Sequence, residues 1–155
     1  MVRQLLSCLC LLLMLHAVSP ALPLGGGSVA ADQVFDSYHD LDWADEKARL
    51  DNFANELQVD PALVGYILVY AGKRSCRGEA RARTERAKRY VVKYRGVTAG
   101  RIIVRDGGYR EEVTTFLQPW PRGGPGFDMY PTVEPGEVEF LKKCRNNLPS
   151  KSRRG

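Results

Sequence analysis

Histidine is nearly absent from this chain: 155 residues carry only His16 and His39. His16 falls in an apolar leader, so His39 is the one imidazole left to the body of the protein. A lone imidazole is a poor basis for a nucleophile–base–acid relay. Cysteine is also scarce. Of the four, Cys8 and Cys10 lie in the leader, and Cys76 and Cys144 have no accompanying histidines with which to build a zinc site. Cys76 lies among cations that favour a thiolate, but no partner base is evident. Asp36, Asp40, Asp42, Asp45 and Glu46 are rich in carboxylate yet lack the alternating ligands, central glycine and terminal glutamate of a calcium loop. The paired glycines Gly107 and Gly108 and the cluster Gly123 to Gly126 are not set between a strand and a helix, as phosphate loops require, and read as turns. No internal repeat is present. These absences argue against an enzyme and against a metal or other cofactor.

No apolar run reaches the roughly 20 residues that span a bilayer. The longest, Leu5 to Leu15, follows Arg3 and precedes small residues, which is the pattern of a cleavable signal peptide. Cleavage after Ala21 lies at the usual distance, and cleavage after Ala31 is the alternative, leaving about 125 to 135 residues, enough for one domain. The expected organisation is a signal peptide over 1–21, a Gly-rich linker over 22–32, a folded domain over 33–118 and a Pro/Gly-rich, basic tail over 119–155. Export implies an oxidising compartment, periplasmic or extracellular. Cys76 and Cys144 there either close a disulfide or remain two thiols; their spacing alone enforces neither.

The formal charge of +5 points to acidic partners. Export favours an anionic component of the cell envelope over nucleic acid.

Within the domain, Val34 and Phe35 open a first strand. Asp42 is a suitable N-cap for a helix from Trp43 to Gln58, whose Leu50, Phe53, Ala54 and Leu57 fall on one face. Val64 to Ala71 is a continuous apolar run, as expected of a strand covered on both sides. A second helix, Glu79 to Arg95, places Ala80, Thr84, Ala87, Val91 and Tyr94 on one stripe, with Gly96 as its left-handed stop. Arg101 to Arg105 is a third strand, Gly107 and Gly108 a turn, and Val113 to Leu117 a fourth strand antiparallel to the third. Regular structure is expected to end after Gln118, with Glu137 to Leu141 adding a short strand or a turn of helix. The order predicts an α/β (α+β sandwich) fold, β-α-β-α-β-β, with two helices packed on one mixed sheet.

The stretches FDSYHDLDWADEKARLDNFANEL, GYILVYA, EARARTERAKRYVVKY and RGVTAGRIIVRDGGYRE together resemble the C-terminal, peptidoglycan-associating domain of outer membrane protein A (the OmpA-like family) over Phe35 to about Leu117. The resemblance implies a non-catalytic envelope domain. In that family an Asp after the second strand holds the amine of a stem peptide, and an Arg in the second helix forks onto its carboxylate. Here the Asp is missing, and Ala71, Gly72, Lys73 and Arg74 follow Tyr70. The Arg matches Arg83 or Arg86. The expected ligand residues are therefore Lys73, Arg74, Arg83 and Arg86, suited to a carboxylate or phosphate.

Two other uses of these residues stay open. The acidic first helix and basic second helix can neutralise each other side by side. The sheet edge and the Pro/Gly tail can dock on another envelope protein, or Trp120, Phe127 and Tyr130 can fold back over the sheet edge beside Tyr109.

Overall fold

In a computed structural model, residues 34–124 and 128–144 are described. The leader, the linker, Phe127 and the basic end of the tail lie outside the described residues. The observed order is β1 (Asp36–Tyr38), α1 (Trp43–Val59), β2 (Leu63–Gly72), β3 (Arg74–Ser75), α2 (Glu79–Lys93), a 3-10 turn, β4 (Ile102–Arg110), β5 (Thr114–Pro121), a second 3-10 turn and β6 (Glu139–Phe140). Two helices pack on one mixed four-stranded sheet of order β1-β5-β2-β4; β3 and β6 form a small parallel pair. The α+β class read from the sequence is the class observed. Among the described residues no helix is long and apolar enough to cross a membrane.

Helix α1 begins where its chemistry requires. The Asp42 carboxylate accepts from the amides of Ala44 and Asp45 at 2.8 and 3.1 Å, satisfying two donors that no helical carbonyl can reach. Leu50, Phe53, Ala54 and Leu57 are fully buried, and each large apolar side chain so placed contributes about 1.5 to 3 kcal/mol. They join Ile67 of β2, Ala87 and Val91 of α2, Ile102 of β4 and Leu117 of β5 in the main core.

Central strand β2 is parallel to β4 and antiparallel to β5. Both its faces are buried, as its unbroken apolar run implies. Gly65 is the point of closest approach to α1: a Cβ there would stand 2.6 Å from both the Leu57 Cδ1 and the Phe53 Cζ. Gly65→Ala is therefore expected to destabilise the domain by about 1 to 3 kcal/mol through overpacking, measured by urea titration. An unchanged midpoint would contradict this packing.

Four expectations are corrected. β4 and β5 are consecutive but do not form a hairpin; β2 runs between them. Gly107 and Gly108 are no turn. They sit inside β4, where pairing with β2 jumps from Asp106 to Tyr109; Gly108 takes φ +85° and its amide donates to the Asp106 carboxylate at 3.0 Å. This bulge inserts one extra residue, and the reversal comes later, at Glu111 and Glu112. The first strand lies two residues beyond Val34–Phe35, because Tyr38 is the side chain that enters the core while Phe35 stays exposed. β5 continues through Trp120 to Pro121; β1 pairs only with Thr115 to Leu117, so Pro119 and Pro121 fall where no second neighbour needs their missing donors.

The Pro/Gly segment returns to the domain. The Tyr130 amide donates to the Tyr70 hydroxyl at 2.8 Å, the Arg110 guanidinium donates to the Tyr130 carbonyl, and the amides of Thr132 and Val133 donate to the Tyr109 carbonyl. The tail thus folds back beside Tyr109, through its backbone and Val133 rather than the exposed Tyr130 ring. Cys76 and Cys144 are paired as a disulfide, with Cα atoms 5.8 Å apart.

Candidate anion-binding face of the second helix

Helix α2 is positioned by left-handed glycines at both ends, Gly78 at φ +71° and Gly96 at φ +74°, a backbone that other residues adopt only at a cost. Its buried stripe is Ala80, Thr84, Ala87 and Val91. Tyr94, expected on that stripe, is instead 74 % exposed and stacks on Tyr90 at 5.7 Å. The six cations of α2 divide by face.

Arg83 and Arg86 lie toward acidic residues of α1 and of the connection between β1 and α1. The Arg83 Nη2 is 2.7 Å from Asp40 and 2.9 Å from Glu79, with 12 % of the side chain exposed. Burial works against its charge, but the hydrogen bond to Glu79 and the charge of Asp40 outweigh that and hold its pKa above the ordinary value. Arg86 pairs with Glu46, which is almost wholly buried, and lies over the Trp43 ring at 4.6 Å. Burial raises the Glu46 pKa, while the charges of Arg86 and Arg83 pull it back. Burial and the Glu46 charge also push the Tyr38 hydroxyl well above the usual phenol range.

Further along, the Tyr90 hydroxyl donates to Asp51 at 2.7 Å and Arg95 approaches the same carboxylate at 3.3 Å. The two helices thus meet side by side through the Glu46–Arg86 pair and the Tyr90–Asp51 hydrogen bond, with Arg95 just past the end of α2 adding a second ion pair. Asp40 and Glu46 are the residues that sequence reasoning missed as partners of Arg83 and Arg86.

Lys73 and Arg74 are occupied elsewhere: Lys73 Nζ is 3.4 Å from Glu111, and Arg74 Nε is 3.1 Å from Glu139 of β6. The four expected ligand residues thus answer to separate carboxylates instead of forming one fork. His39 meets Glu112 at 3.7 Å and Thr114 at 3.5 Å, both through Nδ1. A catalytic relay needs opposite ring nitrogens for its two partners, so this grouping is not one. Among the described residues no cluster of His, Cys, Asp and Glu is arranged to hold a metal ion.

Arg81, Arg89 and Lys93 are different. All three are exposed and, among the described residues, make no side-chain hydrogen bond or ion pair. With Glu85 they follow one another at four-residue steps, so the row turns slowly around the outer face and spans about 18 Å at 1.5 Å per residue. Arg77, four residues before Arg81, is also exposed and lies over the Phe140 ring at 4.2 Å. The signal for this row was in the sequence: once Ala80, Thr84, Ala87 and Val91 define the inside, Arg89 must face away. On the far flank, Lys88 donates to the Ile102 carbonyl at 3.0 Å and so belongs to the fold.

No family model, curated protein or solved structure matches the chain.

Proposed function

We propose that this chain is an exported, non-catalytic domain of the cell envelope that holds an anionic envelope polymer against the outer face of α2. The observation that carries the reading is the division of the α2 cations: Arg83 and Arg86 are spent on internal carboxylates, whereas Arg81, Arg89 and Lys93 are exposed and unopposed except by Glu85. Guanidinium and ammonium groups in such a row suit the repeated carboxylates or phosphates of a polymer more than one small ligand. The resemblance to the outer membrane protein A domain names peptidoglycan, whose stem peptides carry carboxylates, as the first polymer to test. A disulfide-paired Cys76 and Cys144 fits an oxidising compartment.

Binding through exposed cations is screened by salt, with a Debye length of about 10 Å at 0.1 M and about 3 Å at 1 M. Sedimentation with purified cell walls is expected to recover the protein at low salt and release it at high salt. Recovery that is absent at low salt, or that does not change with salt, would count against the proposal. The second reading, docking of another protein through the tail, has less support because residues 128–144 are engaged with the chain's own sheet.

A further inference from the structure

The segment from Asp128 to Cys144 forms a strap across the end of the sheet that carries the loop before α2. Its attachment is mostly polar: the Glu139 amide donates to the Lys73 carbonyl at 2.8 Å, and the Leu141 amide donates to the Ser75 carbonyl at 3.0 Å. Val133 is its one buried apolar side chain among the described residues. Segments with so little apolar burial lie at the low end of local stability. One covalent bond, Cys76 to Cys144, fastens its far end.

The strap also engages two exposed cations. Glu139 offers its carboxylate to Arg74 at 3.1 Å, and Phe140 presents its ring to Arg77 at 4.2 Å. Arg74 lies in β3 and Arg77 in the turn between β3 and α2, both ahead of the outer row of α2, and both contact side chains of β6. An exposed ion pair is weak when its partners are free. Tethering changes that, because a linked carboxylate competes at an effective concentration in the millimolar range.

We infer that the strap is an internal, disulfide-fastened competitor for Arg74 and Arg77, and that reduction of Cys76–Cys144 by a dithiol extends the anion-binding face of α2 by these two cations. The inference rests on the reading of α2 given above. Cys144 is exposed and Cys76 is buried, so the incoming thiolate attacks the Cys144 Sγ. The S–S bond breaks, and Cys76 leaves with the electron pair and takes up a proton. The second thiol of the reductant then displaces Cys144 from the mixed disulfide. The dithiol ends as a cyclic disulfide, and the protein has gained two electrons and two protons.

The test is a titration of the full chain with labelled inorganic polyphosphate at several salt concentrations, with the disulfide intact and after dithiothreitol. Reduction is expected to tighten binding about thirtyfold at low salt, at roughly 1 kcal/mol for each of the two cations gained near an anionic surface, and to steepen the salt dependence. With the disulfide intact, Glu139→Gln is expected to tighten binding more than the equally charged control Glu56→Gln. Arg74→Ala combined with Arg77→Ala should abolish the gain on reduction. Amide exchange at Glu139 and Leu141 should quicken in the reduced protein. Equal affinity in both redox states, a gain that persists without Arg74 and Arg77, or unchanged exchange would each overturn the strap as a competitor while leaving the α2 reading intact. No binding in either state would overturn both.

Discussion

Arg86→Ala is expected to destabilise the domain by about 3 to 5 kcal/mol, the usual cost of stranding the partner of a buried ion pair. For a domain near 100 residues that corresponds to a fall in Tm of roughly 15 to 30 °C. The reason is Glu46. Its side chain is 4 % exposed, and without the guanidinium its carboxylate is left in a dry site between α1 and α2. The loss of Arg86 from the face of Trp43 adds to the effect. Because the cost comes from an unpaired charge, replacing both partners with apolar residues of similar volume, Glu46→Leu with Arg86→Met, should recover most of the stability. A double variant as unstable as the single one would contradict this account.

The same pair makes a pH prediction. Burial raises the folded-state pKa of Glu46 above its ordinary 4.5. A group whose pKa is raised by folding favours the folded state most when protonated, so its contribution is fully present below about pH 4.5 and is lost as pH rises through the folded value. Removing Arg86 deletes an interaction that holds that pKa down, so the loss in the variant is larger. The stability gap between wild type and Arg86→Ala should be widest at neutral pH and narrow toward pH 4.5, measured by urea unfolding at each pH.

Replacing Arg81, Arg89 and Lys93 together by alanine should weaken binding to cell walls about a hundredfold at low salt. Each cation near an anionic surface contributes roughly 1 kcal/mol, and three make about two factors of ten. The expectation for stability is the opposite of that for Arg86: the three side chains are exposed and, among the described residues, unpaired, and alanine is the best helix former. Their removal should leave Tm within a few degrees of wild type. A large fall in Tm would mean that the outer row supports the fold.

Much of the fold was legible because the relevant signals are local. Asp42 caps α1, the stripe Leu50, Phe53, Ala54 and Leu57 is its buried face, and Gly96 ends α2; each depends on residues a few positions apart. The place of β5 was not legible. Adjacent strands in a chain often pair, but β4 lies parallel beside one edge of β2 and β5 antiparallel beside the other, a choice made by long-range packing. The bulge at Gly107 and Gly108 was hidden for a related reason: two glycines mark either a turn or a bulge, and the partner strand decides which.

The site was half legible. The sequence showed an acidic helix and a basic helix and allowed both mutual neutralisation and ligand binding; the structure pairs Arg86 with Glu46 of α1, and Arg83 with Asp40 ahead of α1 and Glu79 of its own helix. Nothing local tells which flank of the α2 stripe faces α1, so Asp40 and Glu46 could not be named as their partners. The strap was least legible, since Pro131, Pro135 and Gly136 carry no periodicity; the hints that the segment returns were the cysteine pair, the aromatics of the Pro/Gly stretch and the short apolar segment around Phe140.

The central claim is that cations a few residues apart on one helix do different work, and Arg81 and Arg83 test it most directly. Two single variants, Arg81→Ala and Arg83→Ala, alter net charge equally and lie two positions apart. Wall affinity at low salt, measured alongside thermal unfolding, should fall for Arg81→Ala with Tm unchanged, while Arg83→Ala should lower Tm and leave the affinity of the folded protein near wild type. The reverse pattern, binding lost with Arg83 and kept without Arg81, would contradict the account and return the site to Arg83 and its neighbours Asp40 and Glu79.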